Sequence, residues 1–587
     1  MKHLIKHFNN LTLHPKNAKA LKGLILQLAV QGKLTENWRT EHPDVESGMV
    51  LLEKIIKEKN RLIKEKKLRK EKSILIKKEK VFPFELPMNW VWTELNQISA
   101  INGGFAFKSS NYKDDGARVI RISDFDENGF KDHRVVRHEF SEDLKPYVLE
   151  KNNILIAMTG GTVGKSYFVD SLDEVMVVNQ RVATIKLINL IDEKYINCVI
   201  PTSLVQDVIH EAKNSTNDNI SMSDIKGFKI PIPPLQEQKA IVAIVEELFA
   251  EVEQLEQKTQ ERIQLKKDYV TSALHKLSQT TDVAKTWQDL QAHFATFFNE
   301  KANIKSLRES ILQLAVQGKL TKNWREKLRL NGAEVEPATE LLKRITAEKK
   351  KLIEAKAIKK EKSLPKITEN EKPFELPDGW VWCRIKDIAY SIVPNRDKPK
   401  SFTGDITWLT TRNLEKQSNK IHLKSGDNKL SKKEIQEYNV RLFPSHSVVM
   451  SCVGQFGLSA VLNDVYSGNQ QLHCFVPLCS VNPYFLDYLI KNGKETYYNM
   501  SSATTISYLN KTKCESLVIP LPPLEEQKAI VKIVDELMVY CDGLERDVEK
   551  RDNLLEDLMV SCLVEMENDS SYGDDMGELR MVAEEKE

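Results

Sequence analysis

Residues Ile25–Arg39 read ILQLAVQGKLTENWR, and Ile311–Arg325 read ILQLAVQGKLTKNWR. A single change in fifteen positions, across a shift of 286 residues, decides the architecture: the chain is two copies of one module in tandem. Two further blocks keep the same order. Phe84–Trp92, FELPMNWVW, returns as Phe374–Trp382, FELPDGWVW, and Ile232–Val242, IPPLQEQKAIV, returns as Leu521–Val531, LPPLEEQKAIV. Between these blocks, residues 93–230 and 383–519 share only a sparse skeleton. Met158–Gly164 (MTGGTVG) faces Met450–Gly457 (MSCVGQFG), Asn179–Gln180 faces Asn469–Gln470, and Ile120–Asp124 faces Trp408–Arg412. A constant frame around a variable insert suits a protein that reads two different things with one scaffold.

The frame is helical. Leu21, Leu24, Ile25, Leu28 and Ala29 fall on one face of a helix over 17–34, which Gly32 can end. A second, basic helix over 49–72 has Leu51, Leu52, Ile55, Ile56 and Leu62 as its apolar stripe, and 307–318 and 340–362 repeat the pair. Pro83, Pro87, Pro373 and Pro377 then stop helix and start extended chain. The inserts are β-rich, with short runs at Ile154–Met158, Val175–Val178, Val182–Leu187, Val448–Met450 and Cys474–Leu478, and a helix near each end at 194–212 and 483–498. Pro233-Pro234 and Pro522-Pro523 begin long helices, since proline suits a first helical turn. Their apolar positions recur at heptad spacing: Val245, Leu248, Val252 and Leu255 in the first copy, Val534, Leu537, Cys541, Leu544 and Val548 in the second. The first copy slips by about one turn toward Ile263, Val270 and Leu277, a stutter. The recurring narrow seams predict that the long helices pair with each other; the alternative is that each packs on its own domain.

Length and composition allow several domains: 587 residues, 41% hydrophobic and 29% charged. No apolar run reaches the roughly 18 residues of a membrane span. The N-terminus MKHLIKHFNN lacks the pattern of a secretory signal, so a cytoplasmic protein is expected. The eight cysteines form no CxxC pair, and His473, Cys474 and Cys479 lack zinc-ligand spacing, which reads as reduced thiols with no metal. The net charge of +2 conceals strong patterning. Residues 53–80 carry 13 Lys/Arg against 5 Glu, residues 343–366 carry 10 against 3, and the tail 565–587 carries 9 acids against 2 bases. A basic run alone can be a solvated helix face; its recurrence in both modules points to a shared role near phosphates.

Two motifs invite enzymatic readings and fail. Thr159–Ser166, TGGTVGKS, lacks the first glycine of a P-loop at the required spacing, and its counterpart CVGQFGLS has no lysine. Asn482–Phe485, NPYF, is close to a methyltransferase tetrapeptide but lacks the second proline and a cofactor-binding segment nearby. A glycine-rich turn and a helix start are the better readings. No catalytic constellation stands out, so no catalytic residue is assigned.

The blocks PPLQEQKAIV and PPLEEQKAIV, and the ILQLAVQGKLT segments followed by a basic helix and FELP–WVW, resemble the conserved regions of type I restriction–modification specificity (S) subunits over residues 17–565. The resemblance implies an α+β fold: two globular target recognition domains joined by two long antiparallel coiled-coil helices in a pseudo-twofold tandem repeat. The divisions expected are a conserved helical region (1–80), recognition domain 1 (81–232), a central long helix (233–280), a linker with the second helical region (281–370), recognition domain 2 (371–521), a distal long helix (522–565) and an acidic disordered tail (566–587). It further implies that each insert reads one half of a split, asymmetric site in double-stranded DNA, that the coiled coil sets the spacing, and that the subunit is not catalytic. Two modification subunits would methylate adenine with S-adenosylmethionine, and two restriction subunits would cut with ATP and Mg²⁺; this chain itself would hold no cofactor. A stand-alone methyltransferase or nuclease, or a coiled-coil adaptor without a DNA role, are the competing functions.

Bases are read by polar and cationic side chains on loops. In the first insert these are Lys108, Ser109, Tyr112, Arg121, Thr159, Lys165, Gln180, Arg181, Asn217 and Asn219. In the second they are Arg396, Lys398, Thr411, Arg412, Asn413, Gln455, Gln470, Gln471, Thr504 and Thr505.

Overall fold

The computed structural model describes residues 17–68, 83–213, 219–280, 282–360, 363–395, 397–415, 418–501 and 507–568. The chain divides into two compact units, Met1–Arg262 with Asp552–Glu587, and Ile263–Arg551. The expected acidic tail lies outside the described residues beyond 568, as do the basic residues 69–80.

In the first unit the opening helix, Asn17–Val30, buries Leu21, Leu24, Ile25, Leu28 and Ala29, the stripe its periodicity predicts. Gly32 follows with φ of 74°, a left-handed conformation that glycine adopts without a Cβ clash. The basic helix spans Gly48–Lys64, capped by the Ser47 hydroxyl accepting from the Val50 amide, and buries Leu51, Leu52 and Ile55. The insert then leaves and returns through one two-stranded stem. Val91–Glu94 pairs antiparallel with Lys229–Ile232, Val91 opposite Ile232. Above this stem Ser99–Gly103, Val182–Leu187, Ile154–Ala157 and Ser166–Phe168 form an antiparallel sheet in that order. A second sheet sets Ala117–Ile120 between Arg137–His138 and Met176–Val178, parallel to the latter.

The second unit repeats the plan. Val381–Arg384 pairs with Val518–Leu521, Val381 opposite Leu521. Ala389–Ile392, Leu472–Pro477, Val448–Ser451 and Ser459–Val461 form the antiparallel sheet. Ile406–Leu409 lies parallel to Tyr466–Gly468 in the other. The α+β reading of the inserts therefore holds, with two refinements. Each terminal helix is broken: Glu193–Val199 and Ser203–Lys213 are separated around Pro201, and Pro483–Asn492 and Lys494–Met500 around Gly493. The pairing of the glycine loops also shifts. Met158 and Cys452 occupy the same place, because each amide donates to the matching turn (Arg181 O and Gln471 O, 2.9 and 2.8 Å). Likewise Ile120 matches Leu409, since their carbonyls accept from Asn179 and Asn469. Residue letters alone aligned Met158 with Met450 and Ile120 with Trp408; hydrogen-bond register decides otherwise.

The long helices span Leu235–Gln279 and Leu524–Asn568, 45 residues each. Within the first unit, Val245, Leu248 and Val252 are buried in a core shared with Leu21, Ile25 and Ile196, and Leu255 packs at its edge. Within the second, Val534, Cys541 and Val548 are buried in a core that also holds Leu307, Ile311 and Phe485, with Leu537 and Leu544 packed against it. Those seam residues thus join their own module's core. Pairing of long helices is visible inside the second unit, where Val270, Leu274 and Leu277 enter that same core. Asn299 receives Lys266 from one helix through its side chain (3.0 Å) and Arg551 from the other through its carbonyl (2.9 Å). Leu277 lines one cavity with Leu537 and Tyr540. Residue 266 near 551 and residue 277 near 540 means that the two segments run antiparallel.

The near-identical blocks of the repeat meet at one buried joint in each unit. Glu237, in the first turn of its long helix, is fully buried. Its Oε1 accepts from Thr35 Oγ1 (2.7 Å) and Arg39 Nη1 (2.7 Å), and its Oε2 from Trp90 Nε1 (2.9 Å). The neighbouring Gln238 accepts from the Asp192 amide (2.9 Å) and donates to Pro233 O (2.9 Å). In the second unit Glu526 takes Thr321 Oγ1 (2.6 Å), Arg325 Nη1 and Trp380 Nε1 (2.8 Å), and Gln527 takes the Asn482 amide (3.0 Å). The three repeated blocks are therefore one structural element, assembled from residues up to about 200 positions apart.

Candidate nucleic-acid interface

Each insert gathers its candidate loops at the ends of its two sheets. In the first, the Asn179 amide donates to Ile120 O, Gln180 to Phe105 O, Met158 to Arg181 O and Ile220 to Met158 O, all at 2.9 Å. These bonds bring together the chain after Phe105, the Arg121 turn, the glycine loop 159–165, the 179–181 turn and Asn219. In the second, Asn469 donates to Leu409 O (3.0 Å), Cys452 to Gln471 O (2.8 Å), Gly454 to Ser507 O (2.9 Å) and Leu509 to Cys452 O (2.9 Å). Left-handed glycines shape both loops, Gly160 and Gly164 in one and Gly454 and Gly457 in the other. Strand ends that deliver matched loops to one edge are a recurrent way of presenting polar side chains from a rigid scaffold.

The candidate side chains fall into three groups. Lys108, Ser109, Lys165, Gln180, Arg181 and Asn219 are exposed, as are Lys398, Gln455 and Gln470, while Thr411 and Gln471 are half-buried. Lys398 lies 5.5 Å from the ring centre of Phe402 and 5.8 Å from that of Trp408, a cation–π pose that holds an exposed ammonium in place. Thr159 is half-buried, and its hydroxyl has no hydrogen-bond partner among the described residues.

A second group is committed to the fold. Asp124 accepts from the Arg121 amide (3.0 Å) and from its guanidinium (2.8 and 2.9 Å), and that hydrogen bonding raises the Arg121 pKa, keeping it charged. The equivalent Asn413 is fully buried, accepts from the Thr410 amide (2.9 Å), and donates to His422 O (3.0 Å) and Asp427 (2.8 Å). Asn413 therefore shapes its turn from inside and does not face a groove. Arg412 is half-exposed and paired with Asp427 at 2.6 Å. Burial pushes the Asp427 carboxyl up, but hydrogen bonds from the Lys424 amide, Arg412 and Asn413 outweigh it and hold the pKa below the ordinary value. Tyr112 packs at the edge of the small core around Val119 and Val177. A third group, Asn217, Arg396, Thr504 and Thr505, lies outside the described residues.

The His473, Cys474 and Cys479 group is dispersed. His473 pairs with Ser391 Oγ (2.9 Å), Cys474 is buried, and Cys479 faces Glu348. In the basic helices, Lys59 is drawn to the carbonyls of Asn96 and Ser99, and Lys349 to those of Lys386 and Ala389. Those lysines pin the first turn of their insert to the frame, a role the charge count could not foresee. Asp124, Asn413 and the joint residues Glu237 and Glu526 were likewise missed as positioning groups. The repeated Glu-Gln in both PPL blocks was the available signal.

The family model described as "Type I restriction modification DNA specificity domain" matches residues 87–265 and 377–551. The chain is similar to the EcoAI specificity subunit of Escherichia coli, a type I restriction enzyme subunit, at 28% identity over 559 residues, covering 90% of each protein. It is similar to the EcoEI specificity subunit of the same organism at 26% identity over 566 residues, again covering 90% of each. A chain from a structural study of complex assembly and conformational transition in the type I R-M system is similar over 83% of this chain and 99% of its own, with 15% identity and a TM-score of 0.46.

Proposed function

We propose how this chain works from one premise: it belongs to the type I restriction–modification DNA specificity family. It is a specificity subunit, which recognises DNA and leaves catalysis to its partners. In our reading, residues 81–232 and 371–521 are the target recognition domains, and each reads one half of a bipartite, asymmetric site. Lys108, Ser109, Lys165, Gln180, Arg181 and Asn219 supply donors and acceptors in the first, and Lys398, Thr411, Gln455, Gln470 and Gln471 in the second. Cationic members neutralise phosphates, and the amides and hydroxyls read base edges. The long helices fix the spacing of the half-sites. The frame docks two modification subunits, which bring S-adenosylmethionine, and two restriction subunits, which bring ATP and Mg²⁺. The complex acts on DNA in the cytoplasm; among the described residues no helix is long and apolar enough to cross a membrane.

The observation that carries this reading is the uneven divergence of the repeat: blocks that build the joint are nearly identical, whereas the inserts that present the loops are not. Its test is an exchange of residues 93–230 for the corresponding insert of another family member, followed by mapping of methylated adenine with the assembled complex. One half-site should change and the other should stay. Simultaneous change of both, or methylation without a defined split site, overturns the reading.

A further inference from the structure

We infer that Glu237 and Glu526 are positioning residues for DNA recognition, each setting the pose of its own recognition domain on its own long helix; the inference rests on the function proposed above. Three elements cross at each glutamate. Oε1 of Glu526 holds the helical frame through Thr321 and Arg325, Oε2 holds Trp380 beside the stem strand Val381–Arg384, and the carboxylate itself rides on the long helix. The adjacent Gln527 fixes the backbone at Asn482, the cap of an insert helix. Glu237, with Thr35, Arg39, Trp90 and Gln238, repeats this in the first unit.

Stability alone does not account for such a joint. A buried carboxylate carries a desolvation cost, and apolar residues of similar volume often serve stability as well or better. What an apolar contact lacks is direction. Three donors of fixed geometry on one carboxylate define an angle between helix, frame and strand root. Base-reading groups must be held to within about half an ångström to keep their hydrogen bonds, and the strand root is where any rotation of an insert begins. Only 7% of Trp380 and of Trp90 is exposed, so neither indole can turn to water instead.

The charge-removing substitution separates these roles. A glutamine at 526 has one acceptor oxygen and an amide donor, so it can serve the frame or Trp380 but not both with Arg325. The experiment uses the full chain assembled with its modification subunits, carrying Glu237→Gln or Glu526→Gln. It measures methylation rates on the cognate site and on sites with one base changed in either half. Glu526→Gln should lower discrimination in the half-site read by the second insert by about tenfold, the size of one well-made base contact, and leave the other half unchanged. Glu237→Gln should show the mirror result.

Loss of activity in proportion to the folded fraction, with both discrimination ratios intact, overturns the inference, as does an equal loss in both halves. Should Glu526→Gln fail to fold, Trp380→Phe decides, because it removes the indole hydrogen bond to Oε2 and leaves a smaller aromatic ring at the strand root; an unchanged ratio there is equally fatal. These results are distinct from a failure of the functional reading, which the insert exchange in the otherwise wild-type complex reports by itself.

Discussion

Replacing Gly318 by alanine tests whether the joint is packed as described. Gly318 follows the helix Lys301–Val316 with φ of +69°. A Cβ there would lie 2.8 Å from Pro377 Cγ and 2.8 Å from Trp380 Cζ2, both on rigid rings. Gly332 supplies the control. It also has a left-handed backbone, with φ of +63°, yet a Cβ there would meet nothing within 4 Å. The conformational cost of a non-glycine residue is common to both, about 1–2 kcal/mol. Only Gly318→Ala adds overpacking, about 1–3 kcal/mol. The expected losses are therefore about 1–2 kcal/mol for Gly332→Ala and about 2–5 kcal/mol for Gly318→Ala. Urea unfolding of the full chain, followed by tryptophan fluorescence, measures the difference. Gly32→Ala should behave like Gly318→Ala but act on the first unit, since its Cβ would meet Pro87 Cγ at 2.7 Å and Trp90 Cζ2 at 3.1 Å. Equal midpoints for Gly318→Ala and Gly332→Ala would refute the packing argument.

Three other outcomes follow from the same structure. Ile530→Ala, at a fully buried core position, should cost about 2–5 kcal/mol, whereas Val539→Ala, 65% exposed on the same helix, should change stability by less than about 0.5 kcal/mol in the same urea assay. Burial pushes the Cys474 thiol from its ordinary value of 9.0 up to about 12. The unfolded thiol ionises first, so its contribution is complete below about pH 9 and is lost as pH rises toward 12; relative to Cys474→Ala, the wild type should lose up to about 1.4 kcal/mol per pH unit in that window. Lengthening both long helices by one heptad adds about 10 Å. Methylation mapping should then show the same bases with a spacer longer by about three base pairs, and altered bases with an unchanged spacer would contradict the ruler role.

Much of the fold was legible because its signals are local. The stripe Leu21, Leu24, Ile25, Leu28 needs only helical periodicity to declare a buried face, and Val182–Leu187 needs only β-branched residues between turns. The candidate loops were legible as polar stretches at matching places. Which of their side chains are available was not. Asn413 and Arg121 look alike as base readers in sequence, yet one is enclosed and the other is tied to Asp124.

By itself, then, the sequence determined that there are two modules, that frame and insert differ in divergence, and that long amphipathic helices follow each insert. Repeat identity and hydrophobic period are properties of short stretches and survive without coordinates. Tertiary structure alone decided that the three repeated blocks converge on one carboxylate, that Met158 answers to Cys452, and that the seam residues of each long helix share the core of their own module. Those facts depend on hydrogen bonds and packing between residues far apart in the chain, where register and burial, which no local pattern encodes, choose among partners of the same chemical type.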